Sequence, residues 1–167
     1  MFLDSGIDPL IYLSYIPSFY MHSNTYLKNF TIPNNINFIG GAAFSGCSKL
    51  KEIIIPDNVT NIDYRAFRNC HDLKKASFHC TEIGGEAFMD SGLREIYISN
   101  NVKEILPRAF YNCYYLTEII YEGTPEQFKK IGIRSNIFGT DTNQYIQRYI
   151  TYTKTGERST LKLHYTI

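Results

Sequence analysis

Cys47, Cys70, Cys80 and Cys113 are the side chains of this 167-residue sequence best suited to chemistry. A thiolate binds zinc, attacks an electrophile or closes a disulfide, and each use demands particular neighbours. Zinc sites place cysteines in close pairs. Here Cys47, Cys70 and Cys113 each follow a Phe by three residues, at Phe44, Phe67 and Phe110. That is ladder spacing, and it predicts free thiols buried as small hydrophobes. Ser91 holds the ladder position once, which interrupts any continuous array of ligands. His22, His71, His79 and His164 are scattered, and His71 and His79 read as solvated corner residues. The glycine pairs in "IGGAAF" and "IGGEAF" read as tight-turn residues, because a phosphate loop would also need a Lys followed by Ser or Thr. No Ser-His-Asp order, Cys-His pair or placed carboxylate pair stands out. The chain is therefore expected to be no enzyme, with no metal and no cofactor.

What positions these residues is a repeat. Phe44, Phe67, Phe88 and Phe110 each follow an Ala, and each lies five residues after an Ile: Ile39, Ile62, Ile83 and Ile105. Three residues before each Ile lies Ile36, Val59, Cys80 or Val102. After each Phe, a Leu opens a run of the form L-x-x-φ-x-φ: Leu50-Ile53-Ile55, Leu73-Ala76-Phe78, Leu93-Ile96-Ile98 and Leu116-Ile119-Tyr121. A fifth run, Leu27-Phe30-Ile32, precedes them. Alternation of this kind is strand-like. One such unit cannot bury its apolar face alone, but stacked units can, each strand pairing with its equivalent in the next rung. The repeat that contains Phe88 is shorter at both corners, which predicts a local bend or twist of the stack.

The pattern L-x-x-I-x-I-P-x-x-V-x-x-I-x-x-x-A-F-x-x-C-x-x-L, from Leu27 to Tyr121, resembles the BspA-type leucine-rich repeat. The resemblance implies a right-handed solenoid of about five rungs, with short parallel strands lining its concave side and few short helices. It also implies a mostly bacterial family with many surface members, associated with binding proteins or host molecules rather than with catalysis.

A stack needs closed ends. Residues 1–24 are expected to form an N-terminal cap, 25–122 the repeats and 123–167 a C-terminal cap. In the first cap, Asp8 is a candidate N-cap with Pro9 as first helical residue, and Leu10, Ile11 and Leu13 supply an apolar side before Pro17. In the second, Thr124, Pro125 and Gln127 predict a capped short helix with Phe128 and Ile131 on one side. "GTPEQFKKI" also resembles the segment that follows the last repeat in the family. "YIQRYITYT" and "LKLHYTI", flanking "KTGERS", read as a β-hairpin with Gly156 in its turn.

Charge and composition bound the partners. A net charge of +1 offers no basic face for nucleic acid, and no apolar run is long enough to span a bilayer as a helix. The apolar start lacks a basic leader, so a cytoplasmic location is favoured over the cell surface. The expected partner is a protein of unknown identity, and self-pairing through a terminal strand or the hairpin edge is possible.

Within each strand the second and third x positions should face away from the core. One such column is Asn29, Glu52, Lys75, Glu95 and Glu118; the other is Thr31, Ile54, Ser77, Tyr97 and Ile120. Ile54, Tyr97 and Ile120 are apolar where the core pattern does not require it, beside charges, as an interface anchor and rim would be. Strand propensity or cover by the hairpin would equally place apolar residues there. Lys28, Lys51, Lys74, Arg94 and Thr117 form a further, largely basic edge. The expectation is a protein-binding scaffold working through the concave columns. A surface adhesin, or a phage-encoded inhibitor or structural protein acting on a host protein, are the alternatives.

Overall fold

The computed structural model describes residues 9–134, 136–138 and 148–161. Asp8 and the segment from Lys162 to Ile167 lie outside the described residues, as do the first residues of the "YIQRYITYT" strand. The chain is a parallel β-solenoid. One sheet contains β1 (Tyr15–Ile16), β3 (Phe38–Ile39), β5 (Asn61–Ile62), β7 (Glu82–Ile83), β9 (Glu104–Ile105) and β11 (Gly132–Ile133), in that order. The other contains β2 (Asn29–Thr31), β4 (Glu52–Ile54), β6 (Lys75–Phe78), β8 (Glu95–Ile98), β10 (Glu118–Tyr121) and β12 (Tyr149–Tyr152), all parallel, with β13 (Arg158–Thr160) antiparallel at its edge. A 3-10 turn, Pro9–Tyr12, and a short helix α1, Pro125–Phe128, are the only helical elements among the described residues.

The repeat slots form ladders in one core. Ile39, Ile62, Ile83 and Ile105 are directly paired in register and buried. The Phe rings lie in single file: Phe44 to Phe67 is 5.2 Å, Phe67 to Phe88 5.1 Å and Phe88 to Phe110 5.8 Å, with interplanar angles from 2° to 18°. A rung spacing of about 4.8 Å, set by backbone pairing, brings equivalent side chains into contact.

The ladders run further than the repeat pattern alone indicates. Ile16 pairs with Ile39, and Met21 N–H donates to the Ala43 carbonyl as Phe44 N–H does to Ala66. Ile133 pairs with Ile105, and the Phe138 ring lies 6.1 Å from Phe110. At the C-terminal side α1 carries its capping box, with Gln127 N–H on Thr124 Oγ1 and Thr124 N–H on Gln127 Oε1. Phe128 packs on Tyr121 and Tyr152 at 5.2 and 6.1 Å.

Two expectations need correction. The hairpin's return strand begins inside "KTGERS", at Arg158, rather than at Leu161. Tyr152 N–H closes the turn on the Glu157 carbonyl at 2.9 Å, so pairing resumes at once. The hairpin's first strand is also a rung equivalent: β12 continues the parallel sheet, with Ile150 beside Ile119. The glycine pairs, in turn, do not supply the turn's unusual torsions. Gly84 has no positive φ, but a Cβ there would meet the Ile62 carbonyl oxygen at 2.4 Å. It is a close-approach residue.

The turn torsions lie on either side of the Phe. Phe19, Ala42, Arg65, Glu86, Arg108 and Asn136 precede the slot by two residues and have φ of 53–61°. Ser23, Gly46, Asn69, Asp90 and Asn112 follow it by two, also with positive φ. Left-handed backbone costs about 1–2 kcal/mol at a non-glycine residue. The turn offsets this by pointing each amide along the stack: Ala42 to Tyr64 O at 2.9 Å, Arg65 to Gly85 O at 3.1 Å and Glu86 to Pro107 O at 3.1 Å. The turns are thus a third hydrogen-bonded ladder beside the two sheets.

Candidate functional site

The two outward columns stand where strand alternation places them. Ile53, Ile55, Ile96, Ile98, Ile119 and Tyr121 point into the core, and the residues between them point out. Asn29, Thr31, Glu52, Ile54, Lys75 and Ser77 are exposed, while Glu95, Tyr97, Glu118 and Ile120 are half-buried. Register brings them together: Asn29 beside Glu52, Glu52 beside Lys75, Lys75 beside Glu95 and Glu95 beside Glu118. In the second column Thr31 lies beside Ile54, and Ser77, Tyr97 and Ile120 follow one another. Ile54 is 75% exposed, the most exposed large apolar side chain on any described strand.

The charges on this face are partly spoken for. Lys75 Nζ meets Glu95 at 2.9 Å, and Arg158 of β13 reaches Glu118 at 2.7 Å. Glu95 and Glu118 are therefore engaged away from the basic edge. Lys28, Lys51, Lys74 and Arg94 are exposed and make no ion pair among the described residues, although Arg94 lies over the Tyr115 ring at 5.9 Å.

His79 is not a solvated corner residue. Its ring stacks on Tyr97 at 5.6 Å, and its Nδ1 lies 3.4 Å from Asp57. Burial, with the Glu122 carboxylate and then Asp57 nearby, pushes the Tyr97 phenol up from its ordinary value.

The cysteines occupy a ladder. Cys47, Cys70 and Cys113 donate to backbone carbonyls of the preceding rung, Met21 at 3.1 Å, Phe44 at 3.3 Å and Phe88 at 3.1 Å. Ser91 Oγ lies 3.2 Å from Cys113 Sγ. All four thiols are free and buried, and burial pushes Cys47 and Cys113 up to about 11. Such thiols are poor nucleophiles near neutral pH. Among the described residues no group of three His, Cys, Asp or Glu side chains is placed to hold a metal ion.

On the turn side, Glu86 is nearly buried yet its carboxyl lies below its ordinary value. Burial pushes it up, but the Arg65 guanidinium at 2.8 Å, a hydrogen bond from Tyr64 and the Arg68 charge at 3.8 Å outweigh that, and Arg108 lies 3.6 Å away on the next rung. This cluster ties three rungs together and reads as structural. Sequence reasoning missed it because the repeat pattern leaves those positions open.

Regular ladders, a continuous core and a face of outward side chains define a leucine-rich-repeat scaffold. The family model for the BspA type leucine rich repeat region matches residues 14–147 in six copies, and the chain belongs to that family. Among solved structures it is similar to a leucine rich repeat protein of T. pallidum, at 29% identity and a TM-score of 0.62, over 65% of this chain and 52% of that one. It is similar to a leucine-rich repeat protein from Bacteroides ovatus, at 27% identity and a TM-score of 0.60, over 74% of this chain and 38% of that one. It is also similar to a leucine rich cell surface protein from Faecalibacterium prausnitzii, at 29% identity and a TM-score of 0.66, over 78% of this chain and 33% of that one. The alignments thus span between a third and about half of those proteins. Among curated proteins, none matches. No helix among the described residues is long and apolar enough to cross a membrane. A cytoplasmic preference finds no support in these similarities.

Proposed function

We propose that the chain is a binding scaffold that presents the outer face of the seven-stranded sheet, the concave side of the solenoid, to a protein partner. The observation that carries this is Ile54, three-quarters exposed on β4, on the same face as Tyr97 and Ile120, which pair in register two strands further on, and beside a column of charges. An apolar anchor with a polar rim is the anatomy of a recognition surface. Recognition comes from shape and residue presentation on a stiff stack, without bond making.

The test is affinity capture from the source cells with the wild-type chain and with Ile54→Ala/Tyr97→Ala, read by quantitative mass spectrometry. A partner retained by the first and depleted at least tenfold by the second supports the reading. Identical capture profiles from two equally folded baits would discard this face.

A cell-surface setting is the second reading. It is favoured by the 29% identity to a cell surface protein of similar fold. Protease treatment of intact source cells tests it: loss of the chain while internal proteins survive supports a surface location, and survival opposes it.

A further inference from the structure

The seven-stranded sheet is not zipped equally at every junction. β2 and β4 align over three residue pairs, and β6 and β8 over four. β4 and β6 align only at Glu52 and Lys75. The bond leading in is long there: Lys74 N–H reaches the Lys51 carbonyl at 3.4 Å, whereas Lys51 reaches Lys28 at 2.9 Å and Arg94 reaches Lys74 at 2.8 Å. The same two rungs are fully joined elsewhere. Asn61 and Ile62 pair with Glu82 and Ile83, and Phe67 N–H donates to the Ala87 carbonyl at 2.7 Å. The gap is therefore a wedge, open only toward the proposed recognition face.

Its cause is legible in the side chains. Ala76 stands in a column otherwise filled by Phe30, Ile53, Ile96, Ile119 and Ile150, so nothing there fills the space toward Ile53. Phe78 turns its ring onward, to Phe88 at 5.0 Å and Phe110 at 5.9 Å. The junction is also where a longer rung meets the short one. The result is a cavity lined by Lys51, Ile54, Lys74, Lys75, Ala76 and Ser77, among others.

The charges around it are unequal. Asp72 is engaged by Lys49 at 3.6 Å and Lys75 by Glu95 at 2.9 Å. Lys51 and Lys74 make no ion pair among the described residues, Lys74 Nζ donating only to the His71 carbonyl at 3.4 Å, and Glu52 makes none either. The mouth thus offers two ammonium groups without an ion pair, Lys51 and Lys74, against the one unpaired carboxylate of Glu52, above an apolar floor.

We propose that this wedge is the anchor pocket of the scaffold, and that it takes an extended partner segment carrying an apolar side chain next to a carboxylate. The apolar group enters beside Ile54 and Ala76, and the carboxylate meets Lys51 and Lys74. The proposal rests on the concave-face reading and narrows it to one junction and one partner chemistry.

The probe is a displayed library of random twelve-residue peptides, selected on the whole chain. Enriched sequences should pair Leu, Ile, Val or Phe with a neighbouring Asp or Glu. A synthetic copy should lose at least tenfold in affinity on Ala76→Ile, which fills the slot as the neighbouring isoleucines do. It should lose a similar factor on Lys51→Glu/Lys74→Glu, whose exposed positions leave the core untouched. Enrichment of basic peptides, failure to enrich any peptide, or binding indifferent to the charge-reversed pair would overturn the proposal. If Ile54→Ala/Tyr97→Ala abolishes binding while Ala76→Ile and the charge-reversed pair do not, the wedge fails and the broader face stands. If none of the three variants matters, both fail.

Discussion

The Phe44 and Phe67 rings lie face to face, 5.2 Å between centroids and 2° from parallel, fully buried and one rung apart. Because each ring has a ring above and below, removing one leaves a void that neighbours held by backbone pairing cannot close. Phe67→Ala should cost about 3–5 kcal/mol. Urea denaturation followed by circular dichroism reads this directly. A loss under 1 kcal/mol would mean the file is not the backbone of the core.

The left-handed turn makes a sharper prediction. Ala42 has φ of 53°, whereas its buried neighbour Ala43 has no such torsion. Ala42→Gly relieves a strain of about 1–2 kcal/mol and should leave stability within about 0.5 kcal/mol or raise it. Ala43→Gly has no strain to relieve, loses a buried methyl and adds chain entropy, and should cost about 1–2 kcal/mol. Equal effects in matched denaturation curves would refute the account of the turns.

Gly92 carries the short rung. A Cβ there would fall 1.9 Å from the His71 carbonyl oxygen, a backbone atom with nowhere to go. Gly92→Ala should destabilise by about 1–3 kcal/mol, as overpacking does. The same substitution at Gly156, where φ is +70° but nothing lies within 4 Å, should cost about 1 kcal/mol from backbone alone. Thermal melts of the two variants separate the mechanisms.

The thiols set an alkaline limit. Burial raises Cys47 and Cys113 from 9.0 to about 11. Above pH 9 the unfolded chain has lost thiol protons that the folded chain still holds, so stability falls as pH rises. The contribution is whole below pH 9 and is lost progressively toward pH 11. Cys47→Ser/Cys113→Ser should make that limb of the stability–pH curve less steep without abolishing it, because burial also pushes the Cys70 and Cys80 thiols up. A disulfide reagent at pH 8 should label none of the four thiols until denaturant is added.

Much of this architecture could be read before any coordinate. Ile39, Phe44 and Leu50 recur with their spacing intact, and a spacing that constant leaves stacking in register as the simplest way to bury it. The outward columns followed from alternation alone. The end rungs were harder, because Met21 replaces the Phe and Ile137 the Ala, so the Ala-Phe signature is lost while the slot survives. The left-handed positions were invisible because Arg65, Glu86 and Arg108 are not residues that advertise such torsions. The wedge had one signal, Ala76 among isoleucines. A single small residue does not by itself distinguish a looser core from an opened sheet.

The two sheets finish out of step. Past β10 the larger sheet adds β12 and then the reversed β13, while past β9 the smaller one adds only β11, among the described residues. A second molecule arriving head to tail could continue one of these sheets or the other, but not both in the repeat's own geometry. A sheet edge formed by a reversed strand is one that the repeat's own parallel geometry does not extend, and that blunts its tendency to recruit like strands.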